Sequence, residues 1–285
     1  MIRTKKCPGW NTTRCPSKSR LENPRGTQCA RRLHKSEFHS YFKHIKGPHL
    51  PILNFCITYL IMSPSKILVL GGTGPAGLCL LRELLHRNHS VVAYARSPSK
   101  IPSSISSNPL LSIVKGDMDD LKTFSAALNG CSTVISHLGP NIKDTHIAPT
   151  MYPDMFRNTV IPAMRERGVK RIFLMGTIAI QRPEDSWTVM QSVVLVYMKL
   201  FARSIYQNIM NIVDLFENEA RDLDWTESWR QGREEGKLYV GPLGAKDWTM
   251  NTNRSRLARW LVDSAEDGAK QWVRKMPAVT KLAGS

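Results

Sequence analysis

The stretch Lys66-Ile67-Leu68-Val69-Leu70-Gly71-Gly72-Thr73-Gly74-Pro75-Ala76-Gly77 decides how this chain folds. Ile67–Leu70 is a short apolar run of strand length. Gly71–Gly77 is a glycine turn. Leu78 to Arg87 then follows a helical pattern. A buried strand, a glycine turn and a helix start in that order place backbone N–H groups and a helix N-terminus where an anion can sit.

Gly72, Gly74 and Gly77 fit G-x-G-x-x-G. In that pattern the first glycine permits the tight turn. The second leaves room for a pyrophosphate, and the third lets helix and strand pack closely. Pro75 stands near the first helical turn, where its missing N–H costs little. Thr73 can donate a hydroxyl to phosphate, and Ala76 completes the turn. A bare tight turn would explain the glycines alone. The strand before, the helix after and the units downstream favour a dinucleotide.

Those units continue the alternation. Strand patterns occupy 66–70, 90–95, 111–114, 133–136 and 170–175. Helical patterns occupy 75–87, the stretch through Leu128 begun by Asp119 or Asp120, and about 152–167 before Gly168. Ser97–Pro109 is polar and reads as a loop. Such alternation implies an α/β fold with a doubly wound parallel sheet, whose ligands bind outside the carboxyl ends of the strands. There is no internal repeat.

The residue 19 positions beyond Gly77 selects the cofactor. An acidic residue there would hold the ribose of NAD. Here it is Arg96, in Ala95-Arg96-Ser97-Pro98-Ser99-Lys100. A guanidinium cannot accept the 2′-hydroxyl proton, but it can fork onto a 2′-phosphate, and Lys100 adds charge. NADP(H) is therefore expected ahead of NAD(H). The other account of Arg96 is a solvated surface arginine. Asp117, next to Met118, stands where a carboxylate could meet the adenine edge, or could cap a helix.

The net charge of +17 is unevenly spread over the 285 residues. Residues 1–62 carry 12 Lys and Arg against 2 acids, and the remainder 28 against 21. The excess is thus not a nucleic-acid footprint of the domain, and Arg254, Arg256 and Arg259 read as a solvated helix face without interleaved aromatics. Residues 1–62 have no sustained period and read as a disordered or non-native extension, with a natural start near Met62. Leu50–Met62 and the apolar Val189–Leu200 both fall short of the roughly 20 residues a membrane span needs. Cys79 and Cys131, alone in residues 63–285, lack metal spacing and suit a reducing cytoplasm.

KILVLGGTGPAG, AYARSPSKIP, GDMDD, VISHLGP, KRIFLMGT and DLDWT together resemble the NmrA-like, NAD(P)H-binding branch of the atypical short-chain dehydrogenase/reductases over residues 66–226. The resemblance implies a Rossmann-like fold, NADP(H), a small-molecule substrate and a small C-terminal helical substrate region, about 178–285. It also implies that Leu138-Gly139-Pro140 and Gly176-Thr177 run beside the ribose and nicotinamide. Reductases and non-catalytic redox sensors both belong to this branch, and a homodimer is compatible with it.

Two features depart from the family. Tyr-x-x-x-Lys is missing: Tyr197 precedes Phe201, Tyr206 precedes Met210, and Tyr197 and Lys199 point to different helix faces. No catalytic acid or base is assigned. Asp224-Trp225-Thr226 runs directly into Glu227-Ser228-Trp229-Arg230 with no apolar run, so the sixth strand is expected to be shortened or lost.

Overall fold

A computed structural model describes residues 65–141, 147–228, 238–250, 253–267 and 269–283. The expected disordered extension, 1–62, lies outside them, as do residues 229–237 directly after Ser228.

Six parallel strands form one sheet: β1 Lys66–Leu70, β2 Val91–Ala95, β3 Leu111–Lys115, β4 Cys131–Ser136, β5 Arg171–Met175 and β6 Asp224–Ser228. Their order is β3-β2-β1-β4-β5-β6. The order reverses between β2-β1 and β4, so the crevice for a ligand opens beyond the carboxyl ends of β1 and β4. The fold is α/β, doubly wound and Rossmann-like.

Both faces of the sheet are covered, so the strands are apolar on both sides. Leu68, Leu70, Val134, Ile172 and Trp225 pack with Phe156 and Phe216 on one face. Ile67, Val69, Ile135 and Phe173 pack with Leu80, Leu84, Leu257 and Trp260 on the other. The first face is covered by α3 Leu121–Ala127, α4 Met151–Met155, a π-helical turn Phe156–Val160, α5 Ile161–Arg167 and α7 Arg203–Asn218. The second is covered by α1 Pro75–His86 and α8 Arg254–Glu266. The Asp120 side chain caps α3, accepting from Thr123 N at 2.9 Å.

Four expectations change. Ser97–Pro109 is not plain loop: it holds a 3₁₀ turn, Pro98–Lys100, and the short helix α2, Ser103–Ser106. The sixth strand is present, pairing along its length with β5 from Arg171↔Asp224 to Met175↔Ser228. Backbone pairing does not require apolar side chains, so the polar Glu227 does not end the strand. Arg256 is not solvated. It lies four residues before Trp260, on the buried stripe of α8, and is 4% exposed. The C-terminal region is not purely helical. Besides α6 Val189–Phe201, α7 and α8 it contains a two-stranded antiparallel ribbon, β7 Leu238–Gly241 with β8 Ala278–Lys281.

Candidate functional site

The glycine turn leaves β1 at its carboxyl end. Gly71 has φ +73°, so the left-handed residue is Gly71 rather than Gly72. Gly74 N donates to Gly71 O at 3.1 Å and closes the turn. A Cβ on Gly77 would stand 2.2 Å from Gly71 O and 2.6 Å from Gly72 Cα, so only glycine lets α1 begin this close to the turn. Gly74 differs. A Cβ there would meet only Gly71 O, at an ordinary 3.5 Å. The fold itself does not need glycine at 74, which leaves that space to whatever lies outside the protein. Pro75 opens α1, Ala76 is buried, and Thr73 is half-buried.

Arg96 follows β2. It is exposed, as is Lys100 on the 3₁₀ turn behind it, and neither forms an ion pair among the described residues. A cleft of about 490 Å³ brings Arg96 together with Asp117, Met118 and Leu138. Its far wall is the Met151–Thr159 segment, including Tyr152 and Asn158. The π-helical turn carries Asn158 and Thr159 into that wall, and such turns recur at functional sites. Sequence periodicity does not reveal a π turn, so these residues escaped notice. The loop carrying Asp117 is pinned from within: the Tyr94 hydroxyl donates to Asp117 O at 2.7 Å. Burial, then the carboxylates of Asp120, Asp117 and Asp119, pushes that phenol up to about 12, so it stays a donor. Lys100 and the glycine turn lie outside the cleft wall. Pro75 instead borders a separate cleft between α1 and the start of α8.

Leu138, Gly139 and Pro140 are half-buried after β4, and Leu138 N donates to Ser136 Oγ at 3.3 Å. Thr177 Oγ1 accepts from Ala179 N at 2.9 Å, which shapes the turn after β5. Gly176 and Thr177 border a third, small cavity of about 20 Å³ with Arg182, Asp185 and Glu227. Glu227 was missed because its sequence context read as a broken strand. Lys199 Nζ lies over the ring of Tyr206, 5.7 Å from its centroid, a cation–π contact between α6 and α7.

The sequence model of the NAD(P)H-binding family matches residues 71–268. The chain belongs to that family. Solved structures agree on the fold. A short-chain dehydrogenase/reductase from Veillonella parvula, solved in complex with NADP, superimposes with a TM-score of 0.61 at 14% identity, over 77% of this chain and 95% of that one. An oxidoreductase from Lactococcus lactis gives 0.56 at 18% identity, over 76% and 90%. In sequence, a 3β-hydroxysteroid dehydrogenase/Δ5→4-isomerase from Mycobacterium tuberculosis is 36% identical over 69 residues. That match spans 24% of this chain and 18% of the relative's length. The chain is therefore an NAD(P)H-binding protein. Among the described residues no helix is long and apolar enough to cross a membrane, and no group of side chains could hold a metal ion.

Proposed function

We propose that this protein binds NADP(H) in preference to NAD(H) and uses it to reduce a small aromatic or conjugated carbonyl compound, as a member of the NmrA-like branch. One observation carries the cofactor choice. At the end of β2, where NAD would need a carboxylate, Arg96 presents an exposed guanidinium with no ion-pair partner among the described residues. The unfilled space before Gly74 supports a phosphate in the turn.

In this reading Gly71–Gly77 and the start of α1 face the pyrophosphate. Arg96 and Lys100 hold the 2′-phosphate, and Asp117 and Met118 meet the adenine. Leu138–Pro140 and Gly176–Thr177 border the ribose and nicotinamide. When bound, the reduced cofactor supplies a hydride, and the protein supplies position and electrostatics. The dehydrogenase named among the sequence relatives agrees with carbonyl–alcohol chemistry. Cys79 and Cys131, both free among the described residues, suit a cytoplasmic enzyme.

A second reading, a non-catalytic NADP(H) sensor, draws on one feature besides the missing Tyr-x-x-x-Lys. Helix α6 exposes Val189, Val193, Val196, Leu200 and Phe201, a face suited to a partner or a second copy.

Titration with NADPH and NADH, on the natural protein and on Arg96→Asp, tests the cofactor choice. Loss of a forked phosphate contact should weaken NADPH binding about 10–100-fold and leave NADH little changed. An unchanged preference overturns the assignment. Tight NADPH binding without turnover of quinones, flavins or enones would favour the sensor.

A further inference from the structure

The 20 Å³ cavity lies at the carboxyl ends of β5 and β6 and has room for one water. Glu227, 3% exposed, forms part of its wall. Among the described residues its Oε2 has no hydrogen-bond partner. Gly176 makes the space for this side chain, since a Cβ there would fall 2.8 Å from Glu227 Cγ and 3.1 Å from Oε1. No other residue type at 176 would let the carboxyl lie against the turn that carries Thr177.

The charged groups that line the cavity beside Glu227 have partners of their own, although Arg182 Nε has none among the described residues. Arg182 Nη1 donates to Glu217 on α7. Asp185 accepts from Arg182 N at 3.0 Å and from Leu243 N at 2.8 Å. The segment on the other side of β6 offers backbone and apolar groups. Glu227 N donates to Lys275 O at 3.2 Å, and Met276 and Ala278 line the cavity. Arg182 lines the same cavity, but among the described residues no hydrogen bond joins it to the Glu227 carboxyl, so its charge offsets only part of the burial cost. Burial, opposed in part by Arg182 and reinforced by Glu217, pushes it up to about 8, so it carries a proton at neutral pH.

We propose that Glu227 is the proton source of the candidate active site, passing its proton through one water in this cavity to the oxygen of a carbonyl held beside Thr177. This rests on the reductase reading above. A hydride from NADPH forms the new C–H bond at the carbonyl carbon, and the C=O π pair moves to oxygen. The Glu227 O–H bond breaks, the water relays the proton, and the O–H bond of the alcohol forms. NADPH ends as NADP⁺, the carbonyl as alcohol, and Glu227 as a carboxylate that regains its proton from solvent. The missing tyrosine–lysine pair is replaced by a carboxyl from the adjacent strand.

Glu227→Gln is the test, because the amide keeps the shape and the neutral charge but cannot serve as the acid. Menadione and 9,10-phenanthrenequinone serve as probes with NADPH. Expected is a fall in kcat of about 100-fold, with KM and NADPH affinity nearly unchanged. The natural protein should lose kcat as pH rises through about 8. Glu227→Gln should lack that limb, and Glu227→Asp should retain it. Infrared difference spectra at pH 7 should show a protonated carboxyl band that Glu227→Gln abolishes. Wild-type kcat with an unchanged alkaline limb in Glu227→Gln, or absence of the band, overturns the inference while the reductase reading stands. Absence of any turnover by the natural protein with NADPH bound overturns the reductase reading, and the inference with it.

Discussion

Gly176 and Glu227 are a complementary pair across β5 and β6: the Cβ that residue 176 lacks would lie 2.8 Å from Glu227 Cγ. Cγ is close to the backbone, so rotating the far end of the side chain cannot relieve the clash. Gly176→Ala should therefore cost about 1–3 kcal/mol, the usual range for overpacking. Glu227→Ala removes the clashing atoms, so Gly176→Ala should cost little in that background. A double-mutant cycle by urea denaturation measures the difference, expected at about 1 kcal/mol or more. Additive losses would mean that something other than Glu227 limits residue 176.

The same carboxyl sets a pH dependence. Its folded-state value, about 8, lies above the ordinary 4.5. Between these values the folded chain keeps a proton that the unfolded chain has released. The group's full stabilising contribution is thus present below about 4.5. It declines as pH rises toward about 8, by up to roughly 1.4 kcal/mol per pH unit, and is constant above. Glu227→Gln has no such proton to lose. Melting curves from pH 5 to 8 should show the variant gaining on the natural protein steadily. Parallel curves would mean that Glu227 is ionised in the fold.

The sheet was legible because each of its first five strands is an apolar run between turn residues, and Lys66–Leu70 and Pro75 mark the first two boundaries without ambiguity. Strand β6 was not, because Thr226-Glu227-Ser228 is polar and its place depends on pairing with Arg171–Met175, some fifty residues earlier. The β7–β8 ribbon escaped for the same reason, since Leu238 and Lys281 meet only after folding. At the site, residue types were readable and divisions of labour were not. Arg96, Asp117, Met118 and Leu138 share a cleft, but Gly176 and Thr177 border a different cavity. The left-handed turn residue is Gly71, one position before the motif's first glycine. Arg256 stands four residues before Trp260, so helical spacing places it on the buried stripe of α8, and only its charge argued for solvent.

The two inner glycines of the turn should separate stability from binding. Gly77→Ala forces a Cβ against Gly71 O and Gly72 Cα, so the turn or the start of α1 must move. It should lose about 1–3 kcal/mol of stability along with NADPH affinity. Gly74→Ala meets nothing closer than 3.5 Å. It should melt within a degree or two of the natural protein yet bind NADPH at least about tenfold more weakly, because the methyl occupies the space left for phosphate. Calorimetric melting and fluorescence titration of both variants check this. Unchanged affinity in Gly74→Ala would remove the phosphate from the turn.

Arg87 ties the two helices on one face of the sheet. Its guanidinium reaches Glu83 on α1 at 2.9 Å, and Asp263 and Glu266 on α8 at 2.6 and 3.0 Å, while His89 Nε2 lies 2.7 Å from Glu266 Oε1. An isolated exposed pair would contribute little, but one planar cation fixed by three carboxylates loses less side-chain freedom per contact. The Arg87 side chain is about a quarter exposed while Asp263 is about half exposed, so salt should weaken the site without abolishing it. Arg87→Ala should lower stability by about 1 kcal/mol, and by less in 1 M salt. Arg87→Lys should recover under half, because an ammonium cannot fork to carboxylates on two helices. The urea midpoint should move while the slope of the transition stays constant, since the change removes contacts without altering the surface exposed on unfolding. A changed slope would instead mean that α8 separates from the sheet before the rest of the domain unfolds.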